Sequence, residues 1–324
     1  SFLCIFLNNN QYIYLYANVL GVIVLNTNAL ELYRLGEISL NEVLSQMSSN
    51  GNEKLSKEHP LNESTLELNN LIGLSNVKEL IEEIKAFIFI QQKRKEQNLT
   101  SDPIVLHMIF KGNPGTGKTT VARIIGKIFK EMGLLKSGHM IEVDRSNIVG
   151  EYIGHTAGKV KKEVKRAIGG ILFIDEAYSL ARGSQKDFGK EAIDALVKSM
   201  EDHKDELILI LAGYEDEMEI FLDSNPGLRS RFPIHIQFKD YTISELLDIA
   251  NKIAYEKEYE LSECAINKLK KLLSQDPDSK NKGNARFIRN IVERAFRKQA
   301  VRLSAKKHIS KNDLLLIICD DIQG

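Results

Sequence analysis

The sequence predicts an α/β protein built on a parallel sheet of five strands and followed by a small helical domain. Three observations support this prediction. Between about residues 105 and 241, short apolar stretches alternate with amphipathic ones, which is typical of strands covered on both faces by crossover helices. A glycine-rich segment follows the first apolar stretch directly and precedes a helical pattern. After about residue 241 the strand pattern stops and helical patterns follow.

The first 47 residues predict a small extension that contains a β hairpin. No charged residue precedes Glu31, and the stretch from Tyr12 to Leu25 reads YIYLYANVLGVIVL. Tyr, Ile and Val around Asn18 and Gly21 favour two short strands. The stretch is shorter than the roughly 20 apolar residues of a membrane helix, and it lacks the basic start of a signal peptide. We therefore expect no transmembrane segment, with contact to a membrane or a partner as the alternative.

The later segments follow one another in a clear order. Residues 48–67 are polar with Gly and Pro and predict a linker. Apolar residues recur at helical spacing from Leu74 to Ile88 and predict the first helix of an α/β domain over residues 68–240. Residues 241–324 predict the helical domain. The expected strands are Leu106–Lys111, His139–Asp144, Ile171–Asp175, Leu207–Gly213 and Ile234–Phe238, and the expected later helices lie near 243–257, 262–274 and 284–303.

The composition argues against a dedicated nucleic-acid binder and against a protein stabilised by disulfides. The chain has 44 basic and 44 acidic residues and no tryptophan, which argues against a dedicated nucleic-acid binder. Its three cysteines, Cys4, Cys264 and Cys319, are far apart in the sequence and have no disulfide or metal spacing. This cysteine usage indicates a reducing compartment, so we expect a cytoplasmic protein.

The segment KGNPGTGKTT predicts a phosphate-binding loop. Gly112 to Thr119 fits G-x-x-x-x-G-K-[ST] without mismatch. Glycines let backbone N–H groups turn toward phosphate oxygens, and the helix that starts there adds its positive end. Lys118 is expected to contact the β- and γ-phosphates and Thr119 to bind Mg²⁺. A plain glycine turn is the alternative. The expected nucleotide contacts in this loop are Asn113, Pro114, Gly115, Thr116, Gly117, Lys118, Thr119 and Thr120.

Two carboxylates follow the apolar stretch ILFI. Asp175 and Glu176 emerge where that strand is expected to end, and ligands of parallel sheets bind at this edge. Asp175 is expected to hold Mg²⁺ through water. Glu176 is expected to orient or deprotonate an attacking water. The alternative is an acidic helix N-terminus, but a second carboxylate beside a phosphate loop favours hydrolysis over a simple switch.

Two further segments supply candidate arginines. NPGLRSRFP places Arg229 and Arg231 after the fourth strand, and an arginine from a neighbouring subunit can stabilise the charge on a γ-phosphate. The alternative is two surface arginines, or a salt bridge to the acidic segment YEDEME. GNAR places Arg286 at the start of a helix, where contact with the γ-phosphate and a solvated basic face are the two interpretations.

Together these motifs resemble those of AAA+ ATPases. The strings GEYIGHTA (150–157), GGILFIDEAYSLARG (169–183) and ILAGYEDEM (210–218) are similar to the CbbX/CfxQ group, which includes Rubisco activases and sporulation ATPases. The resemblance covers about residues 68–303. The segments SLARGSQKDFGKEAID and SRFPI resemble the sporulation branch, that of stage V sporulation protein K, more than the activases.

The resemblance implies an ATP-dependent ring, usually of six subunits, with Mg-ATP bound between neighbours. It implies that Tyr152, Ile153 and Gly154 lie on a loop that lines the central pore and grips a protein substrate. Gly150 and Gly154 favour an exposed loop, whereas a half-buried aromatic is the alternative for Tyr152.

The resemblance also implies roles in nucleotide binding. Ile72 and Gly73, next to Leu71, match the segment that packs on adenine. Arg231 matches the arginine that acts on the neighbouring site, with Arg229 as a second candidate, and Arg286 matches the lid sensor. Tyr214 stands where many relatives have Asn, Ser or Thr, so its role is open. The residues in these predicted roles are Ile72, Gly73, Arg229, Arg231 and Arg286.

The leading hypothesis is a bacterial cytoplasmic ATPase that remodels a protein substrate and belongs to the sporulation branch, which would place it in the mother cell. One alternative is a Rubisco activase of the same group. Another is an ATP-dependent switch whose residues 1–60 bind a partner. A nucleic-acid motor is the third, and the balanced charge argues against it.

Overall fold

A computed structural model of the protein describes most of its residues. The chain divides into two units, residues 1–61 and 62–324. In the first unit, β1 (Phe2–Leu7) and β2 (Gln11–Tyr16) form an antiparallel hairpin, in which Phe2 pairs with Tyr16 and Leu7 with Gln11. The described residues are 2–7, 11–16, 63–100, 105–150, 152, 154–182, 188–223, 226–275 and 283–323.

The hairpin lies nearer the N-terminus than the sequence pattern predicts. Strand β2 covers the first part of the expected stretch, but its partner is the preceding FLCIFL. Three asparagines, residues 8–10, separate the two strands in the sequence, and asparagine is typical of turns. The turn expected at Asn18 and Gly21 lies outside the described residues, as does the expected linker up to residue 62.

The second unit contains a sheet of five parallel strands in the order β4-β5-β6-β3-β7. The predicted five-stranded parallel sheet is therefore confirmed, and each strand lies within two residues of its expected bounds. Because β5, β6 and β3 are neighbours, the residues that follow their carboxyl ends lie side by side. The strands are β3 (Met108–Gly112), β4 (Met140–Val143), β5 (Ile171–Ile174), β6 (Ile208–Gly213) and β7 (Ile234–Phe238).

Successive strand residues pack into two different apolar clusters. Phe110 and Phe173 belong to a cluster with the helices α2 and α3, whereas their chain neighbours Ile109 and Leu172 belong to a cluster with α5 and α6. This alternation is that of a sheet covered on both faces. Helix α1 begins within the stretch predicted as a linker. The helices are α1 (Glu63–Asn69), α2 (Ser75–Glu96), α3 (Lys118–Glu131), α4 (Arg145–Ile148), α5 (His155–Ala167), α6 (Gly189–Asp202), α7 (Glu215–Asp223) and α8 (Pro226–Arg231).

A helical lid follows the sheet, as the sequence predicts. Its first helix starts with a capping box, in which Thr242 Oγ1 accepts from Glu245 N and Thr242 N donates to Glu245 Oε2 at 2.7 Å. The short strands β8 and β9 pair in parallel, and two-residue strands leave no periodic pattern from which to predict them. The elements are α9 (Ile243–Tyr255), β8 (Glu260–Leu261), α10 (Glu263–Gln275), α11 (Asn284–Ser304), α12 (Lys311–Leu315) and β9 (Leu316–Ile317).

The lid has its own apolar core, which α9, α10 and α11 share. A last 3₁₀ turn, Cys319–Asp321, ends on this core. Among the described residues, none of the helices has the length and apolar character needed to cross a membrane.

Candidate nucleotide-binding site

A cavity of about 560 Å³ lies at the carboxyl edge of the sheet, where residues of the α/β domain and of the lid meet. Its volume is within the roughly 300–1,000 Å³ typical of small-molecule sites. Six of the eight residues predicted in the phosphate loop line it, namely Pro114, Gly115, Gly117, Lys118, Thr119 and Thr120. The other two, Asn113 and Thr116, bond to each other, since the buried Thr116 hydroxyl donates to Asn113 O at 2.8 Å.

The loop has a backbone that glycine alone adopts readily. Gly115 and Gly117 have φ values of +74° and +97°. A Cβ atom at Gly115 would overlap the carbonyl oxygen of Gly283 in the lid. The loop therefore leaves room for a ligand's phosphates beside the first turn of α3, whose N–H groups favour negative charge.

Lys118 is the first residue of α3 and its ammonium group is bound to the loop itself. It donates to Gly112 O at 2.7 Å and to Asn113 O at 2.8 Å. Burial lowers the pKa of Lys118, while the carboxylate of Asp175 opposes this shift and Arg286 adds to it. The lysine, the strand-end carboxylate and the lid arginine are thus near enough to influence one another.

Asp175 and Glu176 line the same cavity at the end of β5. Glu176 has φ 48° and ψ 43°, a left-handed backbone that costs a non-glycine residue about 1–3 kcal/mol. Asp175 Oδ1 accepts from Glu176 N at 3.0 Å and stabilises this turn. The exposed carboxylate of Glu176 and the half-buried one of Asp175 therefore share one cavity with Lys118 and Thr119.

Tyr214 follows the end of β6, the strand between β5 and β3, and lines the cavity. Its ring centroid is 5.9 Å from that of Tyr178. Burial raises the pKa of Tyr178 to about 12, so that phenol stays protonated at neutral pH. The guanidinium of Arg182 stacks on Tyr178, 4.5 Å from the ring centre. Tyr214 thus adds an aromatic wall between the carboxylates and the phosphate loop.

Ile72 lines the cavity, whereas Gly73 turns the chain beside it. Gly73 has φ 63° and Leu74 φ 57°, so two successive left-handed residues connect α1 to α2. A Cβ atom on Gly73 would displace the carboxylate end of the Glu245 side chain in the lid, and the positive φ of Gly73 is the conformation that glycine adopts most readily. Other apolar residues from both sides complete this part of the cavity, namely Leu71, Leu74, Ile249 and Ile253.

The lid contributes the predicted Arg286 and several residues that sequence reasoning missed. Arg286 lines the cavity. Asn284, two residues earlier, donates to Asp240 Oδ1 at 2.9 Å and accepts from Tyr241 N at 3.0 Å. Asp240 also accepts from Asn113 of the phosphate loop at 2.9 Å. The GNAR string includes Asn284, but nothing in the sequence pairs it with Asp240. Two more missed lining residues, Lys252 and Arg289, lie on α9 and α11.

Arg229 and Arg231 are not among the described residues that line the cavity. Arg231 donates to Glu201 Oε1 at 2.6 Å. Arg229 donates to Glu219 Oε2 at 2.7 Å and to Asp223 Oδ1 at 2.8 Å. The structure therefore holds both arginines in ion pairs at the surface of their own chain.

The predicted pore segment has an exposed aromatic residue. Tyr152 is 66% exposed, and its ring lies edge-on to that of His155 at 5.6 Å. Gly154 has φ +81° and precedes α5, with open space around the position of a Cβ atom. Ile153 lies outside the described residues. Tyr152 is thus not the half-buried aromatic that was its alternative interpretation.

A phosphate loop on a five-stranded parallel sheet, followed by a helical lid, defines the class of phosphate-loop NTPases with a lid. The sequence matches the model of the ATPase family associated with various cellular activities (AAA) over residues 108–240 and that of the AAA lid domain over residues 242–324. The chain belongs to this AAA ATPase family, and its matches include proteins named CfxQ and CbbX, as predicted.

Two relatives and one solved structure illustrate the match. Stage V sporulation protein K of Bacillus subtilis is 54% identical over 265 residues, 81% of this chain and 82% of that protein. A chloroplastic ribulose bisphosphate carboxylase/oxygenase activase of Cyanidioschyzon merolae is 44% identical over 255 residues, 78% of this chain and 87% of that protein. A mutant of Thermotoga maritima RuvB shares the fold with 22% identity and a TM-score of 0.51, covering 78% of this chain and 69% of its own.

Proposed function

We propose that this chain hydrolyses ATP, assembles into a ring and uses the hydrolysis to remodel a protein substrate. The observation that carries the proposal is the meeting of Lys118, Thr119, Asp175, Glu176 and Arg286 in one cavity. The cavity has a polar part at the phosphate loop and an apolar part at Ile72, as a nucleotide requires. The proposed boundaries are 68–240 for the nucleotide-binding domain and 241–324 for the lid.

Each polar residue has a distinct role in this proposal. Lys118 exchanges its two loop carbonyls for phosphate oxygens when the nucleotide binds. Thr119 and Asp175 are the residues that would hold Mg²⁺, whose charge stabilises the phosphates. Glu176 orients and deprotonates the attacking water. Arg286 brings a positive charge to the same cavity from the lid.

The positions of Arg229 and Arg231 support a ring. Both lie on α8, and neither is among the described residues that line their own chain's cavity. Their ion pairs with Glu201, Glu219 and Asp223 are at the surface, where such pairs contribute little, typically about 0–1 kcal/mol. An arginine held this weakly is available to the nucleotide of a neighbouring subunit. In a head-to-tail assembly each subunit would then complete the next site.

The exposure of Tyr152 supports action on a protein substrate. An aromatic side chain that is 66% exposed on a loop between glycines offers apolar contact that is indifferent to sequence. We expect Tyr152→Ala to keep most of the ATPase activity and to lose substrate remodelling. The control is Tyr152→Phe, which keeps an aromatic side chain at this position. Equal loss of both activities in Tyr152→Ala would remove the proposed role in gripping substrate.

We place the chain in the sporulation branch and in the bacterial cytoplasm, because 54% identity to the Bacillus subtilis protein exceeds 44% to the activase. In a sporulating cell this would be the mother cell. The alternative is a Rubisco activase, which the second relative favours. A measurement of the reactivation of inhibited Rubisco by the chain with ATP distinguishes them, since the sporulation function predicts none.

The test of the proposed function uses Glu176→Gln, which should bind ATP without hydrolysing it. Native mass would be measured with and without Mg-ATP. The control is Glu79→Gln, which changes an exposed glutamate of α2 and should leave hydrolysis intact. We expect a ring of about six Glu176→Gln subunits that forms with ATP. A monomer or dimer with ATP demonstrably bound would favour a switch whose N-terminal unit binds a partner.

A further inference from the structure

Two cysteines that are 55 residues apart meet in the lid. The backbone N–H of Cys319 donates to the sulfur of Cys264 at 3.2 Å, and the Cys319 side chain is close enough to lower the pKa of the Cys264 thiol. Cys264 lies in the first turn of α10 and Cys319 opens the last 3₁₀ turn. The two cysteines are therefore neighbours in the fold although they are far apart in the sequence, and both are free thiols in the structure.

We propose that Cys264 and Cys319 form a reversible dithiol–disulfide site, oxidised by low-molecular-weight disulfides. This assignment is independent of the nucleotide site, because both residues belong to the lid and neither lines the cavity. In a reducing compartment such pairs are transient and serve as redox sensors rather than as structural bonds.

Cys264 has the features of the attacking thiol. Its side chain is exposed, so a small disulfide can reach it. The Ser262 hydroxyl, 3.3 Å away, lowers the pKa of the Cys264 thiol, and the thiol and the N–H of Cys319 lower it further, while Asp320 opposes them. The N-terminus of α10 also favours a thiolate.

Cys319 has the features of the resolving thiol. It is less exposed than Cys264. Its contact with Cys264 raises the pKa of the Cys319 thiol, so Cys264 loses its proton first. A resolving thiol of this kind waits beside the attacking one and reacts only when a mixed disulfide has formed.

The reaction balances in two exchanges. The Cys264 thiolate attacks one sulfur of the small disulfide, so a protein–small-molecule disulfide forms and one small thiolate leaves. The Cys319 thiolate then attacks the Cys264 sulfur, which forms the Cys264–Cys319 bond and releases the second small thiolate. One disulfide is reduced to two thiols, the two protein thiols are oxidised to one disulfide, and the two protons go to the departing thiolates.

The bond would fasten a segment that is already held on the lid. Lys268 Nζ donates to Cys319 O at 2.9 Å, and Arg302 binds the buried Asp321 at 2.8 Å. Ser262 N donates to Ile317 O at 3.0 Å beside the β8–β9 pair. Because these contacts hold both thiols in place before they react, closing the bond requires little ordering of the chain.

The experiment treats the reduced full chain with glutathione disulfide and then counts thiols after denaturation. The chain has three cysteines. We expect the count to fall from three to one, with an intramolecular Cys264–Cys319 peptide found by mass spectrometry and regained as two thiols after dithiothreitol. The control Cys4→Ser should form the same crosslink, with its count falling from two to none.

Two variants separate the roles of the thiols. Cys319→Ser should accumulate a stable glutathione adduct at Cys264, because no resolving thiol remains. Cys264→Ser should not form the crosslink, and it should form glutathione adducts more slowly than the wild type. A lasting glutathione adduct at Cys264 in the wild-type chain, or a crosslink that involves Cys4 instead, would overturn the proposal. The proposal would also be overturned if the folded chain kept its three thiols under conditions in which the denatured chain reacts with glutathione disulfide.

Discussion

Asn284 at the start of α11 donates through Nδ2 to Asp240 Oδ1 at 2.9 Å, and the same carboxylate accepts from Asn113 of the phosphate loop at 2.9 and 3.0 Å. One carboxylate thus joins the phosphate loop to the lid. Asn284 is 3% exposed and has φ +46°, a left-handed backbone that asparagine tolerates better than most residues. Its N–H₂ group also reaches Pro114 O at 3.3 Å, so the lid and the loop move apart only by breaking these bonds.

The first prediction is that Asp240→Ala weakens both stability and nucleotide binding. It leaves the buried Asn284 amide short of a partner, which costs about 1–3 kcal/mol. Urea unfolding and calorimetric binding of a non-hydrolysable ATP analogue measure the two effects. Asp248→Ala, which changes an exposed aspartate of α9, should alter neither. Equal affinity for the analogue in both variants would show that this carboxylate has no part in positioning the loop.

The second prediction compares two glycines that share a backbone angle. Gly115 and Gly133 both have φ +74°, but a Cβ atom at Gly115 would overlap Gly283 of the lid, whereas one at Gly133 has nothing within 4 Å. Gly133→Ala therefore reports the backbone strain alone, about 1–2 kcal/mol. Gly115→Ala adds displacement of the lid from the phosphate loop.

We expect Gly115→Ala to lose nucleotide binding at concentrations that saturate Gly133→Ala. Circular dichroism would check that both variants are folded. If the two alanine variants bound the nucleotide equally well, the close approach of Gly283 to the loop would not matter for binding.

The features of this protein that could be predicted from the sequence are those that depend on residues close together in the chain. The strands follow from short apolar runs, and the phosphate loop and Asp175–Glu176 follow from spacing within a few residues. The parts that could not be predicted depend on distant residues. Asn113 and Asp240 are 127 residues apart, and Cys264 and Cys319 are 55 apart. Neither pair has a periodic signal, because the folded sheet and lid, rather than local propensity, bring them together.

Arg229 illustrates the same limit. The sequence offers Arg231 as the first candidate and Arg229 as the second, with an ion pair to the acidic segment YEDEME as the alternative. In the structure Glu219 of that segment binds Arg229 and also Lys111, the residue before the phosphate loop. Lys111 and then Arg229 lower the pKa of Glu219 to about 2. Arg229 is therefore linked to its own phosphate loop through Glu219. The described contacts of Arg231 include no such link, which favours Arg231 as the residue that acts on a neighbour.

The third prediction concerns pH. His107 is 5% exposed and precedes β3, and its Nδ1 accepts from Leu209 N at 3.0 Å. Burial lowers the pKa of His107 to about 4, from about 6.5 in the unfolded chain. The unfolded state therefore binds more protons between these values, and stability is lost as the pH falls through this window, by about 3 kcal/mol in total.

We expect this loss in the wild type and its absence in His107→Asn, whose amide oxygen replaces the Nδ1 acceptor without titrating. Urea unfolding from pH 7 to pH 4 measures the difference in slope, and hydrogen exchange of the Leu209 amide reports the contact directly. Parallel slopes for the two proteins would mean that His107 is not buried in its neutral form.

The fourth prediction tests whether Arg231 acts in the neighbouring site. Arg231→Ala subunits would keep Glu176 but offer no arginine, and Glu176→Gln subunits would offer the arginine but lack the carboxylate. Each pure variant should lose activity, by roughly 10³–10⁵ for an arginine of this kind. In a mixed ring, an Arg231→Ala subunit beside a Glu176→Gln subunit has both groups at one site. An equal mixture should therefore regain up to about a quarter of the wild-type turnover.

The matched control mixes Arg231→Ala with the double variant Glu176→Gln/Arg231→Ala, since no interface in that mixture combines the two groups. It should stay inactive although it assembles equally well. The same mixture with Arg229→Ala in place of Arg231→Ala tests the other candidate. The pure Arg229→Ala variant should retain part of the ATPase activity, because Arg229 contacts Glu219 and Asp223 of its own chain. Mixed rings detected by native mass without any recovery of turnover would mean that Arg231 serves its own subunit through Glu201 rather than its neighbour.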